Sequence, residues 1–102
     1  MVTSNEATLH LLVAPQQQWS TLLRNLQQVW QSDDQLILMA QAIHGWQDPA
    51  LTTLADTHAI GIYQADAEQL ALPEQLPQHL QYVSTALWAT WVLSFPRSIT
   101  WR

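Results

Sequence analysis

The stretch Asp33-Asp34-Gln35-Leu36-Ile37-Leu38-Met39-Ala40-Gln41-Ala42-Ile43-His44-Gly45 decides the fold. Two acids lead into a short apolar run that ends at a polar turn, a pattern that predicts a strand over 35–39 with both faces buried. Such strands occur almost only in parallel sheets covered by helices on both sides. Ligands and partners of these sheets meet the loops at the carboxyl ends of the strands. The loop from Gln41 to Gly45 is therefore the first place to look for function.

Outward from this stretch, short β-forming runs alternate with helical patterns along the chain. The predicted strands are 8–13, 35–39, 59–63, 80–83 and 98–101. Alternation of this kind predicts a parallel sheet with right-handed crossovers. We therefore expect residues 1–102 to form a single α/β domain with three layers, in which helices cover both faces of a mostly parallel sheet of about five strands.

The helices are predicted from periodicity and from capping residues. Apolar residues three and four positions apart predict a helix over 16–31. Asp48 before Pro49 predicts an N-cap and a first helical position, and Ser84 predicts the cap of the last helix. Asp66 is followed three residues later by Gln69, which is capping-box spacing and predicts Asp66 as the N-cap of a short helix that ends before Pro73.

Composition excludes several classes of function. There are eight acids, three arginines and no lysine, and the net charge is -5, which argues against direct nucleic-acid binding. The apolar runs are shorter than the roughly 20 residues that a membrane span needs, and the first residues lack the pattern of a signal peptide, so we expect a cytoplasmic protein without membrane contact. No cysteine is present, so the chain has no thiolate.

The apolar content predicts association with other chains. Hydrophobic residues make up 48% of the sequence, charged residues only 11%, and there are six tryptophans. A surface with so little charge favours an oligomer in which some tryptophans anchor an interface. Glutamines that solvate the helix faces of a monomer are the alternative explanation of the same composition.

The four histidines do not form a pattern that binds metal. His10, His44, His58 and His79 lie in four segments, without a His-x-x-x-His pair and without cysteine. His10 alternates with apolar neighbours, which predicts a hydrogen-bonded core histidine. His44 follows the second strand, where an acid, a base or a ligand contact would be useful, but a single loop histidine is usually just solvated, and that explanation is favoured. We expect no cofactor, no metal and no catalytic residue.

Several short motifs, in order along the chain, resemble the DsrH/TusB family of sulfur-relay proteins. They are Leu9-His10 with Pro15, Leu22-Leu23-Arg24, Asp33-Asp34 before the strand over 35–39, Ile62-Tyr63 before the acidic helix start at 66–68, and an apolar helix followed by Pro96 and Trp101. Each motif is short, and the resemblance depends on their order and spacing over nearly the whole chain.

The chain also departs from the family pattern at three places. Where the family commonly has Gln-Asp-Gly-Val, this chain has Ala40-Gln41-Ala42-Ile43, without the carboxylate and the glycine. The family's Ala-Arg-Gly-Leu segment is shortened to Ala71-Leu72-Pro73, which removes a basic residue. Leu22 stands where some DsrH members carry a cysteine, so the cysteine-free, TusB-like branch is the better match.

The resemblance implies a structural subunit of tRNA processing. Together with TusC-like and TusD-like chains, such a subunit helps to pass persulfide sulfur toward 2-thiouridine at the tRNA wobble position, with a downstream sulfur acceptor as a further possible partner. The sulfur-carrying cysteine is then expected on a partner chain. The residues expected at the interface or site edge are Gln41, Ile43, His44, Asp66 and Trp101.

Two other functions remain open. One is a stand-alone, homo-oligomeric α/β module that binds a ligand or regulates another protein. The loss of the family's Asp-Gly and Arg-Gly elements would fit a module that has diverged from the relay. The other is an enzyme with its own active site, for which the sequence offers only His44 as a candidate residue.

Overall fold

Five parallel strands form the centre of the molecule. The computed structural model describes residues 7–56 and 58–102. The strands lie in the order β4-β3-β2-β1-β5, and every neighbouring pair is parallel. Their bounds are Thr8–Leu12 (β1), Gln35–Leu38 (β2), Ala59–Tyr63 (β3), Gln81–Val83 (β4) and Arg97–Trp101 (β5). The expected α/β fold is confirmed, with a sheet that is parallel throughout.

Helices cover both faces of this sheet. They are α1 (Trp19–Val29), α2 (Pro49–Ala55), α3 (Gln64–Gln69) and α4 (Thr85–Ser94), with short 3-10 segments at Gln16–Gln18 and Ala40–Gly45. The chain steps in one direction from β1 to β4 and then returns to place β5 beside β1. Because crossovers between parallel strands are right-handed, α1, α2 and α3 lie on one face, and α4 is the one helix of residues 7–56 and 58–102 on the other.

Strand β2 is the central strand, and it is buried from Gln35 to Leu38 as predicted. Leu36 and Leu38 pack into the larger core under α1, α2 and α3. Ile37 points to the opposite face, where it joins Leu9 and Val83 beneath residues of α4. Alternate residues of a strand face opposite sides, so a strand with helices above and below is apolar throughout.

Two of the three predicted helix N-caps are confirmed. Asp48 Oδ1 accepts a hydrogen bond from the Ala50 amide at the start of α2, and Ser84 Oγ accepts from the Leu87 amide at the start of α4. The third cap is wrong, because α3 begins at Gln64, before Asp66, and has no side-chain cap. The helix predicted over 16–31 begins with a 3-10 turn and ends at Val29, and the loop after β2 is a 3-10 segment.

No helix within the described parts of the chain is both long and apolar enough to cross a bilayer. The longest, α1, has 11 residues.

Candidate functional site

A shallow cavity lies at the carboxyl edge of the sheet, between the segment that follows β2 and helix α3. Its volume is about 190 Å³, and its lining residues are Ala40, Gln41, His44, Asp66, Gln69 and Leu70. Three of the residues predicted at the site edge, Gln41, His44 and Asp66, are therefore brought together. Gln41 and His44 are exposed and Asp66 is half-buried.

Asp66 joins the two sides of this cavity. Its Oδ2 accepts a hydrogen bond of 2.8 Å from the backbone amide of Ala40, the first residue of the 3-10 segment. Ala40 has a φ of 53°, in the left-handed region that favours glycine. The carboxylate predicted to cap α3 thus binds the neighbouring segment instead, and it holds that segment in a conformation that alanine adopts only with strain.

Ile43 does not lie at the site edge, which corrects the expectation for this residue. The 3-10 turn directs its side chain inward, where it is fully buried in the larger core. A side chain without exposed surface cannot contact a partner. Ile43 therefore anchors the segment on which Gln41 and His44 are exposed.

Trp101, the last residue of β5, was expected at the carboxyl edge of the sheet, but its side chain is hydrogen-bonded to His10. The residue is half-buried, and its Nε1 donates a hydrogen bond of 3.0 Å to Nδ1 of His10 on β1. The other nitrogen of that ring, Nε2, lies 2.8 Å from Oδ2 of Asp34. Three residues far apart in the sequence form one chain of hydrogen bonds.

The geometry of this network assigns the proton on His10. An indole N–H can only donate, so Nδ1 of His10 must accept the bond from Trp101. The hydrogen of a neutral imidazole ring then lies on Nε2, which donates to Asp34. Both side chains of the His10–Asp34 pair are fully buried. The prediction that His10 is a hydrogen-bonded core histidine is confirmed.

Asp34 also holds two backbone amides. Its Oδ1 accepts from the Thr8 amide at 2.7 Å, and its Oδ2 accepts from the Gln31 amide at 3.0 Å. Asp34 thereby ties the start of β1 to the turn before β2. Sequence reasoning missed this role, although a signal was present, because a histidine in an apolar strand needs a buried polar partner.

Aromatic rings extend the network toward α1 and β3. The Trp30 ring stacks on His10, with centroids 5.0 Å apart, and His58 lies against Trp30 at 4.3 Å. Burial lowers the pKa of His58 below the ordinary value of 6.5, and the hydrogen bond from its ring to the Leu54 carbonyl acts in the opposite direction. Burial therefore disfavours the charged form of the His58 ring.

A larger groove lies between α1 and α2. Its volume is about 600 Å³, and Arg24 contributes to its lining. Near the starts of the two helices, Gln16 Nε2 donates to Asp48 Oδ2 at 2.6 Å. This size is within the range of ordinary ligand pockets, roughly 300–1,000 Å³, whereas the cavity beside Asp66 is below it.

The carboxyl edge offers the side-chain amide of Gln41, the imidazole of His44 and the carboxylate of Asp66 as hydrogen-bonding groups. Within 7–56 and 58–102, no group of three or more ligating side chains is placed to hold a metal ion.

No protein-family model matches the chain, and no curated protein matches it significantly. The fold defines the class of the protein as a parallel three-layer α/β domain. The resemblance to DsrH/TusB proteins depends on the motif residues alone.

Proposed function

We propose that this chain is a non-catalytic subunit of a cytoplasmic sulfur-relay complex. With TusC-like and TusD-like chains it would help to pass persulfide sulfur toward 2-thiouridine at the tRNA wobble position. The absence of cysteine assigns the sulfur-carrying thiolate to a partner, because a thiol is the group that accepts and donates persulfide sulfur. The contribution of this chain is then to build the assembly and to shape the surface around the partner's thiolate.

One observation carries this proposal. His10, Asp34 and Trp101 belong to three separate motifs of the family resemblance, and they meet in one buried hydrogen-bond network. Sequence separations of 24 and 91 residues lie between His10 and its two partners. A shared structural role of these three motif residues, on or next to the neighbouring strands β2, β1 and β5, supports the proposal.

The carboxyl edge is the expected contact surface for the relay partners. Gln41 and His44 are exposed on the 3-10 segment after β2. Two contacts fix this segment: the side chain of Ile43 is buried in the core, and the Ala40 amide donates a hydrogen bond to Asp66. An anchored loop loses little conformational entropy when a partner binds. This arrangement suits a subunit that presents a fixed polar surface.

A second candidate is a stand-alone module that binds a small ligand. The groove between α1 and α2, with Arg24 and a volume of about 600 Å³, favours this alternative because it is large enough for such a ligand. A ligand-binding module would act without TusC-like and TusD-like chains, and its loss would leave tRNA thiolation unchanged.

Deletion of the gene is expected to lower wobble-uridine thiolation, measured by mass spectrometry of digested tRNA. Complementation compares two matched variants, Gln41→Arg at the carboxyl edge and Gln31→Arg at the amino end of β2, since both residues are exposed. We expect Gln31→Arg to restore thiolation as the unchanged protein does and Gln41→Arg to restore little of it. Unchanged thiolation after deletion would contradict the proposed function.

A further inference from the structure

The groove between α1 and α2 has a rigid apolar floor. Trp19, Leu23 and Leu54 form this floor, and all three are buried. The Trp19 ring is held at two places: its Nε1 donates to the Ala14 carbonyl at 2.9 Å, and its far end lies so close to Gly45 that a Cβ atom there would not fit. Because the floor is fixed, an apolar ligand would find the groove already formed.

Polar side chains line the rim of the groove on α1. Ser20, Arg24 and Gln27 follow one another at spacings of four and three residues, which places them on the side of α1 that faces the groove. All three are exposed, and within 7–56 and 58–102 none of their side chains forms a hydrogen bond or an ion pair. Their donors are therefore open to a ligand that lies on the floor.

Arg24 is the one charged residue in the sequences of α1 and α2. Asp48, the acid that lines the same groove, is already bonded, because its Oδ1 accepts from the Ala50 amide at 2.8 Å and its Oδ2 accepts from Gln16 Nε2 at 2.6 Å. This bridge closes the groove at the helix starts, whereas Arg24 lies about 7.5 Å further along α1 than Trp19. The guanidinium is therefore free to pair with the acid of a ligand.

One arginine beside an apolar floor selects a particular class of anion. A guanidinium binds a carboxylate through two parallel hydrogen bonds, which a single arginine supplies by itself. Phosphate esters are usually bound by several cations or by glycine-rich turns, and the described lining of the groove contains neither a second cation nor a glycine. The net charge of -5 also repels ligands with several negative charges. The groove thus favours a single carboxylate over a nucleotide or a sugar phosphate.

We propose that the groove between α1 and α2 binds a small monocarboxylic acid with an apolar body. The apolar part lies over the buried floor, and the carboxylate pairs with Arg24. A straight chain of about eight carbons is long enough to cover the floor between Arg24 and Trp19. This inference does not depend on the relay function, since the lining of the groove and the lining of the cavity beside Asp66 share no residue.

Titration of the isotope-labelled, full-length chain with octanoate, followed by two-dimensional NMR, tests the site. We expect a dissociation constant of about 1 mM or lower, with a shift of the Trp19 indole N–H resonance and none of the Trp101 indole resonance. Octanol, which has the same chain without the carboxylate, should bind at least about tenfold more weakly. Octyl phosphate should bind no more tightly than octanoate.

Matched variants test the role of Arg24. Arg24→Gln should weaken octanoate binding at least about tenfold and leave octanol binding unchanged, because it removes only the partner of the carboxylate. Arg102→Gln, the same change at an exposed position outside the groove, should alter the binding of neither ligand. Thr53→Trp, at an exposed position on the α2 side, should fill the groove and abolish the binding of both.

Several results would overturn the proposal. One is that octanoate at about 10 mM shifts no resonance of the groove, and another is that the Arg24→Gln variant binds octanoate as tightly as the unchanged chain does. Equal binding of octanol would show that the carboxylate is not recognised, and tighter binding of octyl phosphate would assign the groove to phosphate esters. Groove resonances that shift with protein concentration alone would assign it to a second copy of the chain.

Discussion

Replacement of Asp34 by alanine is expected to lower the free energy of unfolding by about 3–5 kcal/mol. The carboxylate accepts hydrogen bonds from the Thr8 amide, the Gln31 amide and Nε2 of His10. Alanine would leave these donors without their acceptor at a site where the side chains of Asp34 and His10 are fully buried. A loss of this size is a large part of the 5–15 kcal/mol that stabilises a typical domain.

Asp33→Ala is the matched control, because the same side chain is removed from the adjacent position. Asp33 is exposed, so the expected change is within about 0.5 kcal/mol. Urea denaturation followed by circular dichroism measures both variants without depending on the fluorescence of Trp30, which is close to the network. Similar losses for the two aspartates would show that the buried network does not stabilise the fold.

Substitution of Gly45 by alanine is expected to cost about 1–3 kcal/mol by overpacking. A Cβ atom at this position would lie 2.6 Å from Cη2 of the Trp19 ring. That ring cannot move aside easily, because it is buried and its Nε1 donates to the Ala14 carbonyl at 2.9 Å. The strain would also reach the segment that carries His44, immediately before Gly45.

A double-mutant cycle identifies the cause. Trp19→Phe removes the part of the ring that a Cβ at Gly45 would meet, so Gly45→Ala should be less costly in that background by at least about 1 kcal/mol. Thermal unfolding and urea denaturation give the four free energies. If Gly45→Ala costs the same in both backgrounds, contact with Trp19 is not the reason for the glycine.

The sequence predicted the layers of the fold because its strongest patterns are local. The apolar run of β2, the periodicity of α1 and the caps Asp48 and Ser84 each depend on neighbours within a few residues. The predicted start of α3 was wrong because the Asp66 carboxylate does not cap the helix. It accepts a hydrogen bond from the Ala40 amide, which is 26 residues away in the sequence. Capping-box spacing contains no information about such a contact.

The candidate site could be predicted only in part for the same reason. Gln41 and His44 follow a strand whose carboxyl end was predictable, and both are exposed there. Ile43 turned inward because the segment forms a 3-10 turn, which periodicity did not indicate. The hydrogen bond between Trp101 and His10 forms because β5 lies beside β1. The order of strands in a sheet depends on the whole chain, so no local sequence pattern predicts it.

The exposed apolar surface of α4 depends on tertiary structure as well. The sequence predicted the helix, and six tryptophans suggested that some anchor an interface. In the structure Trp88 and Trp91 pack toward the sheet, while Leu93 is the large apolar residue left in solvent. The number of helices on each face decides this exposure, because the described part of the chain places no second helix beside α4 on its side of the sheet.

The most direct test of the proposed relay subunit is co-purification with its expected partners. Size-exclusion chromatography with light scattering would be applied to this chain after co-expression with TusC-like and TusD-like proteins from the same genome. We predict a single stable complex that contains all three chains, in which Gln31→Arg is tolerated and Gln41→Arg weakens incorporation of this chain. Elution of this chain apart from a complex of the other two would contradict the account.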